Sequence, residues 1–397
     1  MFENILNQSD VVERLTKDLS EHTLPPSILF SGPLYSGKLS TALELARVLS
    51  CEERTAEWNC PCKSCESHRV LLHPNTLLLG GRYFMAEIAA CADTLSRIRN
   101  ASAQYLFIRS IRKLTRRFDP VLWEGEEAKV AKLAPLVSAL EEIAYDLSPG
   151  GAPLPETAIL GKRLEEALDT ARKLEDSVSL GTIPVGMVRR VGVWAHLKGA
   201  ESRKVIIIEN ADRLLDSARN ALLKLLEEPP PEVHFILLSS RRNAIIPTIL
   251  SRVRTYPFKR REGRTGREVL ERIFRETSGE YPDLDSFFLI FQGVKPSTLR
   301  ASTIQFIRNA WEGKDFLLED LFQDREKFRL FLIELLSVLS ETLRGEAWAG
   351  GGNPPPLSAL EEWMSLVRKT AESVEVLNVH PVLMAERLFV RIRRAHA

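Results

Sequence analysis

Four of the five cysteines, Cys51, Cys60, Cys62 and Cys65, fall between positions 51 and 65. Four thiolates suit a tetrahedral zinc ion, which would staple a loop too small to bury a core of its own. With no basic-then-apolar export signal at the N-terminus, such clustering points to metal before disulfides. Idle buried thiols are the alternative. Cys60 and Cys62 are separated by a single residue, so an ion held by both requires a tight turn. His68 and His73 lie nearby and read as structural, and Cys91 stands apart as a core residue.

A second chemistry is written into residues 31–40, SGPLYSGKLS. Gly32, Gly37 and Lys38 fit the phosphate loop G-x-x-x-x-G-K-[ST] at its first three fixed positions. Glycines let backbone N–H groups close around phosphates, and the lysine reaches the outer ones. Leu39 stands where a hydroxyl would bind magnesium, and Ser40 comes one residue late. Tyr35 replaces the small residue usual in mid-loop. ATP and magnesium are therefore left open: the loop either keeps weak nucleotide binding or holds none.

These residues need a scaffold. Ile28, Leu29 and Phe30 form a short apolar strand before the loop, and residues 41–49 a helix after it. Val205 to Ile208 is a β-branched run too short for a helix, read as a strand buried on both faces of a parallel sheet. Glu209 ends it, at the carboxyl edge where open α/β sheets place ligands. Leu222 and Leu226 then recur at helical spacing until Pro229, Pro230 and Pro231 stop the helix. The expected fold is α/β: a phosphate-loop core around a parallel sheet.

That core resembles the AAA+ clamp-loader subunits of bacterial DNA polymerase III. Asn220 to Pro230, NALLKLLEEPP, looks like their NALLK-x-LEEPP signature. Residues 235–239 resemble the sensor-1 strand, which ends here in Ser239, and residues 247–252 the P-T-I-x-S-R-C element, with Val253 replacing the cysteine. The resemblance covers about residues 1–80 and 181–300 well and the last hundred weakly. It implies a core at 1–79 and 181–258, with the zinc module at 51–65. A helical insertion at 80–180, a small helical lid at 259–300 and a helical collar for oligomerisation at 301–397 would complete the chain. Residues 2–8 resemble the element that borders the adenine, with Asn7 in place of a glycine. The helix near residues 185–194 and the turn at 199–201 resemble the approach to the acidic strand.

In that family the strand ends in an acidic pair, one member positioning magnesium and the other activating water. Here the pair is Glu209 and Asn210, and Asn210 accepts no proton. Own ATP hydrolysis is therefore not expected. Arg252 takes the position of an arginine finger, offered across a subunit interface to a neighbour's nucleotide; a surface salt bridge is the alternative. Arg300 is displaced from the sensor-2 position and receives no role. The implied partners are gamma/tau and delta subunits in a hetero-oligomeric ring, the sliding clamp, and primed DNA through the assembly. The implied role is a stator that assists clamp loading within the polymerase holoenzyme. A hydrolysing gamma/tau-type subunit and a standalone DNA-processing ATPase are the other readings.

Composition bounds the rest. Lys and Arg total 54 against 53 Asp and Glu, so bulk charge predicts no polyanion binding. No apolar run approaches the roughly 18 residues a membrane span needs, which makes a cytoplasmic, membrane-free protein the expectation. Within the insertion, helical periodicity covers about 84–116, 124–148 and 156–178. Arg109, Arg112, Lys113, Arg116 and Arg117, beside Tyr105 and Phe107, read as a solvated helix face, with a DNA or partner surface as the alternative.

Overall fold

The computed structural model describes residues 1–397 except 82–83, 152, 178–182, 198–202, 280, 282, 316–321, 323–324, 346–347, 349–353, 378–379 and 395–397. The turn expected at 199–201 and parts of the expected insertion, lid and collar therefore lie outside the described residues. The chain divides into two compact units, Met1–Phe288 and Leu289–Ala397.

In the first unit, α1 (Ser9–Ser20) leads to β1 (Ser27–Ser31), and α2 (Lys38–Leu49) and α3 (Lys63–Arg69) lead to β2 (Thr76–Leu79). Five helices follow: α4 (Met85–Ile98), α5 (Ala101–Thr115), α6 (Pro120–Trp123), α7 (Glu127–Asp146) and α8 (Thr157–Asp176). Next come α9 (Val185–His196), β3 (Lys204–Ile208), α10 (Asp216–Glu227), β4 (Val233–Ser239), α11 (Pro247–Leu250) and β5 (Arg254–Pro257). Helix α12 (Arg264–Val269) and a π-turn at Leu270–Phe274 come last, and α13 (Leu284–Phe291) carries the chain across the boundary of the two units.

All strand pairings are parallel, in the order β2-β3-β4-β1-β5. Strands β1, β2 and β3 are buried throughout, as apolar runs covered on both faces must be. Ile28, Phe30, Val205, Ile207, Ile236 and Leu238 pack with Leu39, Leu43 and Ala46 of α2 in one cluster. This parallel α/β sheet with helical additions is the AAA+ type of fold expected from the sequence. At the β5 edge, Asp18 of α1 accepts from Arg254 Nη1 at 3.1 Å and from the Tyr256 hydroxyl.

One helix expected over 84–116 is two. Arg99 takes a left-handed φ of 50°, and the Asn100 side chain accepts from Ala103 N at 2.9 Å, capping α5. An asparagine cap is readable in the sequence, but the apolar period runs across it.

The second unit holds α14 (Pro296–Trp311), α15 (Arg325–Leu343), α16 (Leu357–Leu377) and α17 (Pro381–Arg394). The Phe306 ring lies 5.0 Å from Phe331 and 5.2 Å from Phe389, tying three of these helices into one core. Arg300 bridges Glu334 at 2.9 Å and Glu341, so it staples α14 to α15.

Candidate functional site

The phosphate loop joins β1 to α2. A Cβ on Gly32 would stand 2.5 Å from the Phe258 carbonyl oxygen, so no side chain fits there. Gly37 has φ of +93°, and a Cβ on it would meet Arg261 Nη2 at 2.6 Å. Lys38 turns its ammonium back into the loop, donating to the carbonyls of Gly32 at 2.6 Å and Pro33 and to Ser36 Oγ at 3.3 Å. Burial pushes it down to about 8, with Arg261 adding to the effect, against the pull of Glu209 and Asp212. Arg261 closes the mouth of the loop, donating to Tyr35 O at 3.1 Å and Leu6 O at 2.8 Å. The Tyr35 ring stacks on Phe288, 4.7 Å between centroids, and its backbone takes a positive φ of 55°. Leu39 is core, whereas Ser40 is exposed on α2. Nearby, Asn7 Nδ2 donates to Thr265 O at 3.1 Å, and Gln8 exchanges two hydrogen bonds with the Lys259 backbone.

The carboxyl end of β3 is engaged from within the chain. Glu209, 7% exposed, forms an ion pair with Arg117, whose Nη1 also donates to Leu79 O at 2.7 Å. Asn210 Nδ2 donates to Gly81 O at 2.7 Å. Glu209 and Asn210 are thus both bonded to the chain segment that follows β2. The sequence reading missed Asp212. Its carboxylate accepts from Ser239 Oγ at 2.7 Å and pairs with Arg241 Nε at 3.0 Å. Lys38, Glu209, Asp212 and Ser239 thus gather at one end of the sheet. The signal was available, as an acid four residues beyond the end of β3, but nothing in the spacing distinguishes it from a turn residue.

The basic stretch of α5 is neither a solvated face nor an exposed nucleic-acid surface, and both expectations are corrected. Arg112 and Arg117 are 2% exposed and Lys113 is 9% exposed. Arg109 donates to the carbonyls of His68 at 3.1 Å and Arg69 at 3.0 Å, and Arg112 to Val70 O at 3.0 Å. Arg116 reaches Thr76 O at 3.2 Å. The row therefore caps carbonyls at the end of α3 and engages Thr76 O and Leu79 O of the edge strand β2. Such an edge would otherwise be open to other chains.

The four clustered cysteines converge. Their Sγ atoms all lie within 4.8 Å of one another, with Cys51 and Cys60 at 3.7 Å. Zn–S bonds of about 2.3 Å at tetrahedral angles separate sulfurs by roughly 3.8 Å, so the cradle fits such an ion. Cys62 caps α3, its sulfur accepting from Cys65 N at 3.4 Å, so the helix start brings Cys62 and Cys65 together. Burial raises the Cys62 thiol, but backbone donors from Cys65 and Glu52 outweigh it and leave the group at about 7. Four thiols in this arrangement can hold a metal ion such as zinc. His68 and His73 stack at 4.1 Å, and His73 Nε2 meets Ser64 Oγ at 3.2 Å, away from the sulfurs. Cys91 is buried in α4.

Arg252 lies apart from all of these, after α11. It donates to Thr248 O at 2.8 Å and pairs with Glu227 of the LEEPP segment at the surface.

Residues 7–130 and 162–262 match the family model described as DNA polymerase III, delta subunit, which is more than half the chain. The chain is 40% identical over 79 residues to the DNA polymerase III subunit delta′ of Escherichia coli, covering 19% of this chain and 23% of that protein. It is 40% identical over 62 residues to the delta′ subunit of Bacillus subtilis, covering 15% and 19%. The gamma/tau subunit of Mycobacterium bovis matches at 40% over 70 residues, 18% and 12%. The matched stretches span less than a quarter of these relatives' own length. A gamma subunit-related protein of Thermotoga maritima is similar at 17% identity and a TM-score of 0.29, over 55% of this chain and 81% of that one. No described helix is long and apolar enough to cross a membrane. From the family match, which takes in the phosphate loop, the cysteine cluster, the basic helix and the strand ending in Glu209, the chain belongs to the DNA polymerase III delta subunit family.

Proposed function

We propose that this chain is a delta′-type clamp-loader subunit: a member of a cytoplasmic, hetero-oligomeric ring with gamma/tau and delta subunits that loads the sliding clamp onto primed DNA. It acts there as a non-hydrolysing stator. The observation that carries the reading is the Arg117–Glu209 ion pair. A carboxylate engaged by a buried guanidinium is a poor magnesium ligand, and Asn210, bonded to Gly81, supplies no base. Lys38 and Arg261 fill the loop with the chain's own cations, so nucleotide binding is weak or absent.

What the chain keeps is Arg252. Beside a neighbour's nucleotide its guanidinium would leave Glu227 for the transferred phosphoryl group, stabilising charge in a reaction the chain does not run itself. Zinc in the cysteine cradle, held by Cys51, Cys60, Cys62 and Cys65, supplies folding energy for residues 51–65 and takes no part in chemistry. The unit containing α14 to α17 serves as the collar, and the segment from 259 towards 300 as the lid.

The test is ATP turnover by the isolated chain with magnesium. None above background is expected. Turnover that disappears in Lys38→Ala would favour a hydrolysing gamma/tau-type subunit instead.

A further inference from the structure

Arg47 lies near the end of α2, the helix that begins at the phosphate loop and runs directly into Cys51. Its side chain is 1% exposed. All five of its N–H donors are engaged. Nε and Nη2 take Glu44 at 3.1 and 2.6 Å, and Nη2 also takes Ala56 O at 2.7 Å. Nη1 takes Glu57 O at 2.8 Å and the sulfur of Cys65 at 3.2 Å. Ala56 and Arg54, both between Cys51 and Cys60, have positive φ of 50° and 57° without being glycine. Such a conformation persists only where surrounding contacts hold it. Trp58, in the same loop, has the Arg47 guanidinium 5.9 Å and the Arg109 guanidinium 5.7 Å from its ring centroid.

We propose that Arg47 is a positioning residue of the cysteine centre: one guanidinium fixes the loop between Cys51 and Cys60 and donates a hydrogen bond to the Cys65 sulfur. This rests on the reading that the cradle holds zinc. The N–H to sulfur bond draws charge from one of four thiolates that together outweigh a divalent ion, and it fixes the direction of that sulfur. Glu44 orients the guanidinium in turn. Arg69 is a natural control, because it donates to the carbonyls of Trp58 at 2.7 Å and Cys60 at 2.8 Å without a bond to sulfur.

The experiment loads the full chain with cobalt(II) and follows two readouts, the sulfur-to-cobalt charge-transfer band and the rate of metal loss to a chelator. Arg47→Met is expected to shift the band and weaken metal retention by about 10–100-fold, the usual consequence of losing an outer partner of a metal ligand. Arg69→Met loosens the same loop but leaves the band at its wild-type energy. A wild-type band and retention within about twofold in Arg47→Met overturns the inference while leaving the zinc reading intact. Wild-type protein that takes up no cobalt or zinc overturns both. Should Arg47→Met fail to fold, wild-type protein loaded with cadmium-113 decides: a scalar correlation between the Arg47 guanidinium protons and cadmium through sulfur is expected. Its absence from an otherwise assigned centre overturns the inference.

Discussion

Arg117, in the turn that ends α5, and Glu209, at the carboxyl end of β3, form a buried ion pair. Removing one partner of such a pair strands the other charge, which typically costs about 3–5 kcal/mol, whereas replacing both with apolar groups of similar size is often nearly neutral. Arg117→Met should therefore lower stability by that order. Arg117→Met combined with Glu209→Leu should recover most of the loss, as measured by denaturant unfolding. A double variant no better than the single one would show that the pair is incidental to stability.

Lys38 makes stability depend on pH at the alkaline end. Burial lowers its ammonium from 10.5 to about 8 in the folded chain. Between those values the unfolded chain holds a proton that the folded chain has lost, so stability rises with pH, by about 3 kcal/mol for the whole shift. Below about 8 both states are protonated and the full penalty is present. Lys38→Met should remove this rise between pH 8 and 10.5 and stabilise the chain at pH 7. The measurement is the difference between wild-type and variant unfolding curves across that range. A flat difference would show that Lys38 is charged throughout.

The parallel sheet was legible in the sequence because its strands are apolar runs with chemistry at their ends: Ile28 to Phe30 before the phosphate loop, Val205 to Ile208 before Glu209. The cysteine cluster was legible from spacing alone. Arg109 to Arg117 was not. Charged residues on a helix ordinarily face water, and nothing in the sequence shows that the bare edge of β2 runs beside that helix, offering carbonyls such as Thr76 O and Leu79 O. The fate of Glu209 was hidden for the same reason, because its partner lies 92 positions away. Arg261 escaped notice because it carries no motif and reaches the loop only through the fold.

For the cysteine centre, one equivalent of zinc per chain is expected by elemental analysis of freshly purified protein. Metal binding energy is folding energy for such a loop. Cys60→Ser, or prolonged chelation, should therefore lower the melting temperature and expose residues 51–65 to proteolysis. Well under one equivalent, with melting unchanged by a chelator, would leave four buried thiols and no metal centre.

Arg252 offers the most discriminating outcome. Its pair with Glu227 lies at the surface, where such pairs contribute about 0–1 kcal/mol. Arg252→Ala should therefore leave the isolated chain almost as stable as wild type. A phosphoryl-transfer site that loses a trans arginine slows by about a thousandfold or more. Only the one site facing this chain would be affected, so the ring's total DNA-stimulated ATPase should fall in part and clamp loading more severely. Glu227→Gln releases the guanidinium without removing it, and should leave both activities near wild type. The measurement is reconstitution of each variant with gamma/tau and delta subunits, with assembly checked by size. The ring should still form, because the proposed collar of α14 to α17 carries assembly and lies in the other compact unit. If the ring forms and Arg252→Ala matches wild type in both activities, Arg252 is a surface partner of Glu227 and nothing more, and the stator mechanism loses its chemical contribution.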